Sequence, residues 1–266
     1  MKKFLIQSKN EPLRPHDKLT FESPAFDFCF HLIEAVEYQN WYHNENVYRF
    51  NLIRNKNQIR RYYQDGKWFN EDWNENIPVG SVEFVLDFYK EYYKIENIKP
   101  INIPEDLMQR NYLKRCLYRS NFKDISNSFP KPVFIKSTDK IKGFNIITKY
   151  KHELPSEGNC LVSELIDIES EWRSFVFNGK LLDIRCYSGD FELFPDIRLV
   201  KYMINRYKNS PRAYTIDVGV NKDKDTFLIE VHQFFSCGLY GFTDYRVLPQ
   251  MFVSCHREII DRKLFA

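Results

Sequence analysis

Short runs of alternating apolar and polar residues recur along this chain and are interrupted by a few helical patterns. Residues 2–7 and 46–55 carry apolar side chains at the two-residue spacing that predicts β-strands. Residues 82–95 instead repeat apolar side chains at helical spacing, and Ser81 precedes them as a suitable helix N-cap. A second helix is predicted over residues 104–120, which open with proline and acids and end with bases.

From about residue 121 onward the pattern changes to a series of short β-type runs. One helix interrupts them, at residues 196–210, and a hairpin turn is predicted at Asn178-Gly179. The predicted strands are residues 131–137, 146–150, 160–166, 172–177, 180–189, 213–220 and 226–231. The sequence therefore predicts an N-terminal α/β segment, a linker around 96–104, and an α+β segment built on antiparallel strands.

Composition narrows the class of protein without naming a function. The 266 residues are 43% hydrophobic and 17% aromatic, enough for a sizeable core, and the net charge of +3 is too small to indicate a polyanionic partner. No run approaches the ~20 apolar residues of a membrane span, and the N-terminal apolar run of three residues is too short for an export signal. The six cysteines form no CxxC pair, so we expect reduced thiols in a cytoplasmic protein without a membrane partner.

Two acidic residues lie on neighbouring predicted strands. Asp217 is in the middle of the run 213–220, and Glu230 follows it by 13 residues, near the end of the next run. The polar segment 221–225 between them predicts an antiparallel hairpin that brings both carboxylates to one face. Adjacent carboxylates repel unless a cation lies between them, and Mg²⁺ binds one or two protein carboxylates together with phosphate and water. The pair indicates a metal–nucleotide site, with two solvent-exposed acids as the alternative.

Two lysines lie at a loop in the β-rich region. Lys136 is near the end of the apolar run 131–137, and Lys142 follows six residues later beside Gly143. Lysine ammonium groups near a loop can clamp a polyphosphate as compact point charges, whereas solvated loop lysines are the alternative. The chain has neither a GxxxxGK[ST] nor a GxGxxG motif, which argues against P-loop and dinucleotide-binding folds.

A third polar group follows the apolar run 160–166. That run ends in the order acid, apolar, apolar, and Glu171 and Arg173 then share one face of the next strand. Because aromatic residues flank Arg173, we expect its guanidinium to be partly buried and paired with a carboxylate. In the alternative interpretation, Arg173 pairs with a nearby carboxylate that only stabilises the fold.

Taken in order, these features resemble the ATP-grasp superfamily, and within it the clade marked by one conserved arginine and two lysines. The likeness covers roughly residues 77–245 and is strongest over 133–242. The residues that carry it are Lys136, Lys142, the triplet Glu164, Leu165 and Ile166, the acid Glu171, the arginine Arg173, and the acids Asp217 and Glu230.

The resemblance implies an α+β ATP-grasp fold, with two α+β subdomains that have antiparallel sheets and follow an α/β pre-ATP-grasp domain. The implied bounds are 1–104 for the first domain, 105–163 for one subdomain and 164–266 for the other, which holds the metal site. The implied activity is that of an ATP- and Mg²⁺-dependent carboxylate–amine ligase. In such enzymes ATP phosphorylates a carboxylate and an amine attacks the acylphosphate. Small-molecule or peptide carboxylates and amines would be the substrates.

The resemblance also implies a role for each polar group. Phosphates, adenine and ribose would contact Lys136, Lys142, Glu164, Leu165, Ile166 and Glu171. Arg173 and Arg185 would neutralise the transferring phosphoryl group or hold the acceptor carboxylate. Asp217 and Glu230 would hold Mg²⁺.

Position 232 departs from that family, in which asparagine is usual. The chain has His232, on the same strand face as Glu230. Imidazole is a poorer ligand than oxygen for Mg²⁺ and a better one for Mn²⁺ or Zn²⁺, so Mn²⁺ is the alternative metal. The sequence leaves open whether His232 ligates the metal or hydrogen-bonds a phosphate or Glu230.

Two other functions fit parts of the same sequence. Residues 54–73 mix arginine and lysine with tyrosine, tryptophan and phenylalanine, a composition typical of single-stranded nucleic-acid binding, although acids dilute it. RNA repair, modification or binding is therefore an alternative function. A kinase of a small acceptor is another, because the same ATP site would serve it and the sequence does not separate the two reactions.

Overall fold

The computed structural model describes residues 2–12, 20–53, 76–235 and 237–264, which fall into two compact units. Unit 1 comprises Met1–Asn97 and Phe234–Ala266, and unit 2 comprises Ile98–Gln233. By their contacts, the last residues of the chain group with the first ones, a long-range association that local sequence patterns do not reveal. The three-domain division 1–104, 105–163 and 164–266 stays a prediction. Among the described residues, no helix has the length and apolar character needed to cross a membrane.

The elements of unit 1 are β1 Lys2–Pro12, β2 Thr20–Pro24, α1 Asp27–His43, β3 Tyr48–Ile53, β4 Asn76–Val79, α2 Val82–Phe88 and the C-terminal helix α5 Leu248–Leu264. The long strand β1 is central, because it pairs in parallel with β3 and β4 and antiparallel with β2. Helix α1 packs against β3 and against α5. The strands predicted over 2–7 and 46–55 are confirmed, and the pre-ATP-grasp assignment stays a prediction.

The predicted cap at Ser81 is confirmed. Its hydroxyl accepts a hydrogen bond from the backbone N–H of Phe84 at 3.1 Å, which satisfies one of the N–H groups that a helix start leaves unpaired. The backbone N–H of Ser81 donates to the side-chain oxygen of Gln7 at 2.7 Å. These bonds tie the start of α2 to strand β1, and a π-helical turn, Tyr89–Tyr93, extends the helix.

Unit 2 contains two four-stranded antiparallel sheets. The strands of sheet A are β5 Leu117–Asn121, β6 Ser128–Ser137, β7 Asn145–Tyr150 and β8 Asn159–Glu164. Those of sheet B are β9 Ser170–Phe177, β10 Lys180–Gly189, β11 Ala213–Val220 and β12 Thr226–Gln233, and the helices are α3 Arg110–Leu113 and α4 Ile197–Arg206. Sheet A has the order β5-β8-β6-β7 and sheet B the order β10-β9-β11-β12. The predicted α+β class with antiparallel sheets is confirmed.

Sheet B has one apolar face and one face that carries polar side chains. Val176, Ile216 and Leu228 point from three neighbouring strands into a buried cluster with Met203 of α4 and Leu107. Because side chains alternate along a strand, the residues between them point to the opposite face. The apolar face anchors sheet B and leaves the other face available for charged groups.

The turn between β9 and β10 and the helix α4 agree with the predictions made from the sequence. Asn178 and Gly179 both have positive φ, 49° and 71°, as a two-residue turn between β9 and β10 requires. The helix predicted over 196–210 is present as α4, and Asp196 caps it by accepting from the N–H of Arg198 at 2.8 Å. Both predictions are confirmed.

The helix predicted over residues 104–120 is wrong. Only the single turn α3 is α-helical there, and it ends at Leu113, because the next residue, Lys114, has a left-handed φ of 55°. Residues after it form β5, which pairs antiparallel with β8. The apolar side chains of Leu107, Tyr112 and Leu113 still reach the core, but from short turns. Pairing with β8 outweighed a local helical pattern, which is a weak determinant on its own.

Candidate functional site

Strands β11 and β12 bring the two predicted metal-binding acids together. Asp217 lies directly opposite Glu230 in the antiparallel ladder, as the hairpin prediction required. The ladder is irregular here, since Val218 pairs with Leu228 and Ile229 is the extra residue of a bulge. The bulge lets Leu228 and Val231 face the core while Glu230 and His232 share the polar face. The bulge at Ile229 therefore determines the face of sheet B to which the Glu230 side chain points.

Asp217 is held by a buried arginine. Both of its oxygens accept from Arg173, at 2.9 Å from Nε and 2.8 Å from Nη2, and only 3% of the Asp217 side chain is exposed. Burial raises the pKa of this carboxyl, but the Arg173 hydrogen bonds and the nearby His232 outweigh it, so the pKa lies below its ordinary value. The expectation that Arg173 is buried and paired is confirmed, and its partner is one of the predicted metal ligands.

Glu230 and His232 complete this cluster with Lys136 from sheet A. The Lys136 ammonium donates to Oε2 of Glu230, which joins the end of β6 to β12. The Nε2 atom of His232 lies 3.1 Å from Oε1 of Glu230 and 3.3 Å from Oδ2 of Asp217, although neither approach has hydrogen-bond geometry. The imidazole of His232 therefore lies between the carboxylates of Glu230 and Asp217.

The charges in the cluster shift one another strongly. Burial raises the pKa of Glu230, but His232 and Lys136 outweigh it and lower the pKa to about 2. Burial lowers the pKa of His232, but the carboxylates of Asp217 and Glu230 outweigh it and raise the pKa to about 9. Three basic side chains, counting Arg173, therefore surround two carboxylates that stay ionised at neutral pH.

Tyr187 links Glu171, the acid predicted to bind the ribose, to this cluster. Its hydroxyl donates to Oε2 of Glu171 at 2.8 Å and lies 3.4 Å from Oδ2 of Asp217, while the Arg173 guanidinium lies over its ring. Burial raises the pKa of Tyr187 far above the ordinary value, with Asp217 and Glu171 adding to it, so the hydroxyl keeps its proton. Glu171 is thereby placed on the same face as Asp217.

The remaining predicted residues lie outside the cluster of carboxylates. Arg185 is opposite Arg173 in the ladder and pairs with Asp183 at 2.6 Å, with 42% of its side chain exposed. Lys142 is exposed in the turn between β6 and β7, with a φ of 53°. Glu164 ends β8 and accepts from the backbone N–H of Cys116 at 2.8 Å, and this bond is the main cause of its lowered pKa.

A cavity of about 290 Å³ lies between the two sheets of unit 2. Sheet A contributes apolar side chains such as Phe134 and Ile147, and sheet B contributes Phe227. Leu165 and Ile166, which follow β8, also line it, as do Glu164, Lys136 and Glu230. An apolar chamber with a few polar groups at its edge is typical of a small-ligand site. The cavity joins the predicted base-binding residues to two members of the charged cluster.

Arg115 is a cavity residue that sequence reasoning missed. Its guanidinium donates to Oγ of Ser163, to the carbonyl of Leu113 and to the carbonyl of Leu228, each at 2.9 Å, and lies over the Phe227 ring. Burial lowers its pKa to about 10. Since Ser163 is on β8 and Leu228 on β12, this one side chain ties sheet A to sheet B.

Replacing Arg115 with methionine should lower the free energy of unfolding by about 1–3 kcal/mol, because its buried acceptors lose their donor. Urea-induced unfolding of the full chain measures the change. Arg198→Met is the matched control, since that side chain is 94% exposed, and it should change stability by no more than about 0.5 kcal/mol. Equal effects of the two substitutions would contradict a tether at Arg115.

The three side chains Asp217, Glu230 and His232 fit a divalent cation that replaces the proton of the His232 imidazole. Each offers one ligand atom, and these atoms all lie within 4.8 Å of one another. Two carboxylate oxygens suit Mg²⁺, whereas the imidazole suits Mn²⁺ or Zn²⁺ better. A carboxylate oxygen has two lone pairs, so the bonds from Arg173 leave Asp217 able to accept further partners.

Two of the residues that sequence reasoning missed, Tyr187 and Arg115, have partners far away in the sequence. Tyr187, Asp183 and Arg115 carry no motif, and Arg115 lay in a segment wrongly predicted as helix. The one available signal was alternation along β10, which places Tyr187 two residues after Arg185 on the same strand. The cavity itself is lined by residues from distant segments of unit 2, so no local sequence pattern indicates it.

Comparison with known proteins identifies the family. The sequence-family model of the ATP-grasp domain, R2K clade family 2, matches residues 112–249, which are just over half of the chain. No curated protein matches the chain at a significant level. The D-alanine–D-alanine ligase of Bacillus anthracis, in complex with ATP, aligns at 13% identity over 98% of both chains with a TM-score of 0.50.

A second structure of that ligase aligns at 12% identity over 98% of both chains, again with a TM-score of 0.50. The L-amino acid ligase of Bacillus licheniformis aligns at 11% identity, over 97% of this chain and 74% of that one, with a TM-score of 0.47. At such low identities, the two structures of the D-alanine–D-alanine ligase, with a TM-score of 0.50, show a shared fold only. The predicted ATP-grasp fold is confirmed, and the chain belongs to the ATP-grasp domain family, R2K clade family 2.

Proposed function

We propose that this protein is an ATP- and Mg²⁺-dependent ligase that joins a carboxylate to an amine. The observation that carries the proposal is the apolar cavity of unit 2, which opens onto Lys136 and Glu230 next to Asp217 and Arg173. These residues all fall within the part of the chain that matches the family. The cavity accounts for a nucleotide base, and the charged cluster accounts for the polar chemistry beside it.

The nucleotide would bind with its base between the two sheets. Phe134, Ile147 and Phe227 would cover the base, and the backbone after Glu164 would meet its edge. Lys136 lines the same cavity at the end of β6, so its ammonium is placed to exchange Glu230 for a phosphate. We assign Lys142, in the turn after β6, to the phosphates as well.

Glu171 is assigned to the ribose. One of its oxygens, Oε2, already accepts from the Tyr187 hydroxyl, and this bond fixes the orientation of the carboxylate. Its other oxygen would accept from a ribose hydroxyl. The proposal thus uses Tyr187 as the residue that positions Glu171.

Asp217 and Glu230 would hold the metal, with His232 beside them as a third candidate ligand. A bound Mg²⁺ would screen phosphate charge and orient the transferring phosphoryl group. Arg173 keeps Asp217 ionised and correctly oriented, because both hydrogen bonds of the pair are buried. Mn²⁺ would suit the same three ligands.

The reaction would need no protein nucleophile. The γ-phosphoryl group would pass from ATP to the acceptor carboxylate and release ADP, and the amine would then attack the carbonyl carbon and expel phosphate with loss of a proton. Positioning and charge neutralisation would supply the rate enhancement. Arg185, whose side chain is 42% exposed beside Asp183, is the candidate to hold the acceptor carboxylate, and Arg173 is the candidate to stabilise charge on the phosphoryl group.

Because the structure of a D-alanine–D-alanine ligase aligns over nearly the whole chain, small carboxylates and amines, including amino acids and peptides, are the first substrates to test. Product analysis would separate the proposed ligase from a kinase, since only the ligase yields free phosphate and an amide together with ADP. The predicted nucleic-acid segment, 54–73, lies outside the described residues. Salt-dependent binding of the full chain to an oligonucleotide would support that alternative.

Replacing Lys136 with methionine should weaken ATP binding about tenfold to a hundredfold, because the phosphates lose a desolvated cation while the apolar stem is kept. Isothermal titration calorimetry with ATP and Mg²⁺ measures the affinity. Lys149→Met is the matched control, since Lys149 is an exposed residue of β7 in the same sheet and is not a cavity residue. ATP binding that is unchanged in Lys136→Met would contradict the placement of the phosphates.

A further inference from the structure

The outer face of helix α1 is rich in exposed aromatic side chains. Trp41 and Tyr42 are 75% and 66% exposed, and Phe30 is half exposed. The other face of the helix buries Leu32 and Val36. A surface helix usually has one apolar and one charged face, so aromatic side chains on the outer face as well indicate contact with a partner.

Four aromatic rings on this face form one cluster around Tyr38. The centroid of the Tyr38 ring lies 6.0 Å from that of Trp41, 6.1 Å from that of Tyr42 and 6.4 Å from that of Tyr245. Tyr245 belongs to the segment before α5, and its carbonyl accepts from Nε2 of Gln39 at 2.9 Å, which attaches this segment to α1. The aromatic surface, as we name Tyr38, Trp41, Tyr42 and Tyr245, is therefore built from two parts of unit 1 that are distant in sequence.

Glu34 lies at the edge of the aromatic surface and is held by one of its two oxygens. Its Oε2 atom accepts from the hydroxyl of Tyr245 and lies 3.2 Å from Nδ1 of His31. Within the described ranges its Oε1 atom makes no hydrogen bond or ion pair, and 37% of the side chain is exposed. A carboxylate that is already oriented can bind a partner through its second oxygen with little further loss of conformational freedom.

The charges around the aromatic surface favour a cationic partner. No lysine or arginine occurs between Lys18 and Arg49, although the chain has 39 such residues. Arg246 lies next to Tyr245 in sequence, but it binds Asp244 through Nε and Nη2, each at 2.9 Å, so its charge is paired. The interval from 19 to 48 contains five acids, namely Glu22, Asp27, Glu34, Glu37 and Glu45. This part of a chain with a net charge of +3 is therefore acidic, which attracts cations and repels polyanions.

Arginine combines the two properties that this face requires. Its planar guanidinium stacks on aromatic rings and binds carboxylate oxygens, and it is more weakly hydrated than the ammonium of lysine. A nucleic acid could stack on the same rings, but its phosphates would lie against the acids.

We infer that the outer face of α1 docks an arginine-rich segment of a polypeptide partner, which stacks on the aromatic surface and pairs with Glu34. The inference concerns unit 1 and does not depend on the proposed ATP site.

The test titrates the full chain into a fluorescein-labelled decapeptide of alternating arginine and glycine, and fluorescence anisotropy at about 0.15 M salt measures the binding. Trp41→Ala removes one ring of the aromatic surface, and Glu34→Gln removes the charge but keeps an acceptor for Tyr245. The matched controls are Tyr202→Ala on α4, where the side chain is 63% exposed, and Glu157→Gln in the exposed loop before β8. Thermal unfolding verifies that the variants are folded, and Tyr42→Ala replaces Trp41→Ala if that one is not.

The wild type should bind the arginine peptide more tightly than a lysine–glycine peptide of the same length, because the ammonium is harder to desolvate. Trp41→Ala should weaken binding of the arginine peptide about threefold to thirtyfold. Glu34→Gln should weaken it about twofold to fivefold, as expected for an exposed ion pair. The two control variants should bind as the wild type does.

Three results would overturn the inference. One is a wild type that does not bind the arginine peptide. Another is equal binding by the wild type, Trp41→Ala and Glu34→Gln, which would indicate charge attraction without a defined surface. The third is tighter binding of a labelled single-stranded oligonucleotide than of the peptide, weakened by Trp41→Ala, which would assign the aromatic surface to nucleic acid.

Discussion

Glu230→Gln should abolish metal-dependent binding of ATP while leaving the protein folded. Glutamine keeps the size of the side chain but removes the charge that pairs with Lys136 and lies beside His232. Residues that merely support a metal ligand contribute about tenfold to a hundredfold to metal affinity, so the loss of a ligand carboxylate should exceed about a hundredfold. Calorimetric titration of ATP with Mg²⁺ and with a chelator measures the metal-dependent part of binding.

Glu157→Gln is the matched control for Glu230→Gln. Glu157 is exposed in the loop before β8 and is not a cavity residue, so its substitution removes the same charge outside the proposed site. Direct titration with Mn²⁺, followed by electron paramagnetic resonance, provides a measure of metal binding that does not depend on activity. Wild-type affinity for Mn²⁺ and for ATP with Mg²⁺ in Glu230→Gln would contradict a metal role for Glu230.

The strand pattern could be predicted because it depends on local spacing. The turn at Asn178-Gly179, the cap at Ser81 and the pairing of Asp217 with Glu230 all follow from residues close in sequence. The ordered set of lysines, acids and arginine then indicated the ATP-grasp fold, which the family match confirms. Their roles at the site stay predictions.

The remaining features depend on contacts between distant segments. The segment 104–120 has a helical pattern, yet β5 forms because β8 offers it an antiparallel partner. Arg115 could not be recognised, since its acceptors belong to α3, β8 and β12.

The ion pair between Arg173 and Asp217 changes the interpretation of Asp217 that the sequence alone allowed. A structural partner for Arg173 and a metal-binding acid were weighed as separate interpretations, and in the structure one residue, Asp217, is the carboxylate in both. The same charge can therefore stabilise the fold and serve the site. The two contributions are separable by experiment, because stability can be measured without ATP or metal.

Asp217→Ala should lower the free energy of unfolding by about 3–5 kcal/mol, since it leaves the Arg173 guanidinium buried without its carboxylate. Urea-induced unfolding of the metal-free full chain measures the change, and Asp223→Ala, in the exposed turn between β11 and β12, is the control. The control should lie within about 0.5 kcal/mol of the wild type. Asp217→Ala should in addition abolish metal-dependent ATP binding.

The pH dependence of this effect has a defined sign. The pKa of Asp217 is lowered in the folded state from its ordinary value of 3.8, so the ionised carboxylate contributes stability above that pH and loses it as the pH falls through the folded pKa. The difference in stability between the wild type and Asp217→Ala should therefore be greatest near neutral pH and narrow on acidification. A difference that grows on acidification would contradict an ionised Asp217 in the folded protein.

A double substitution separates the ion pair from the metal site. Replacing both partners, Arg173→Met with Asp217→Leu, removes the uncompensated charge and fills the same space with apolar groups, so stability should return to within about 1–2 kcal/mol of the wild type. Metal-dependent ATP binding should not return, because the ligand carboxylate is still missing. Recovery of both properties would show that Asp217 acts only through the fold, whereas recovery of neither would show that the polar face of sheet B cannot accommodate apolar side chains at these positions.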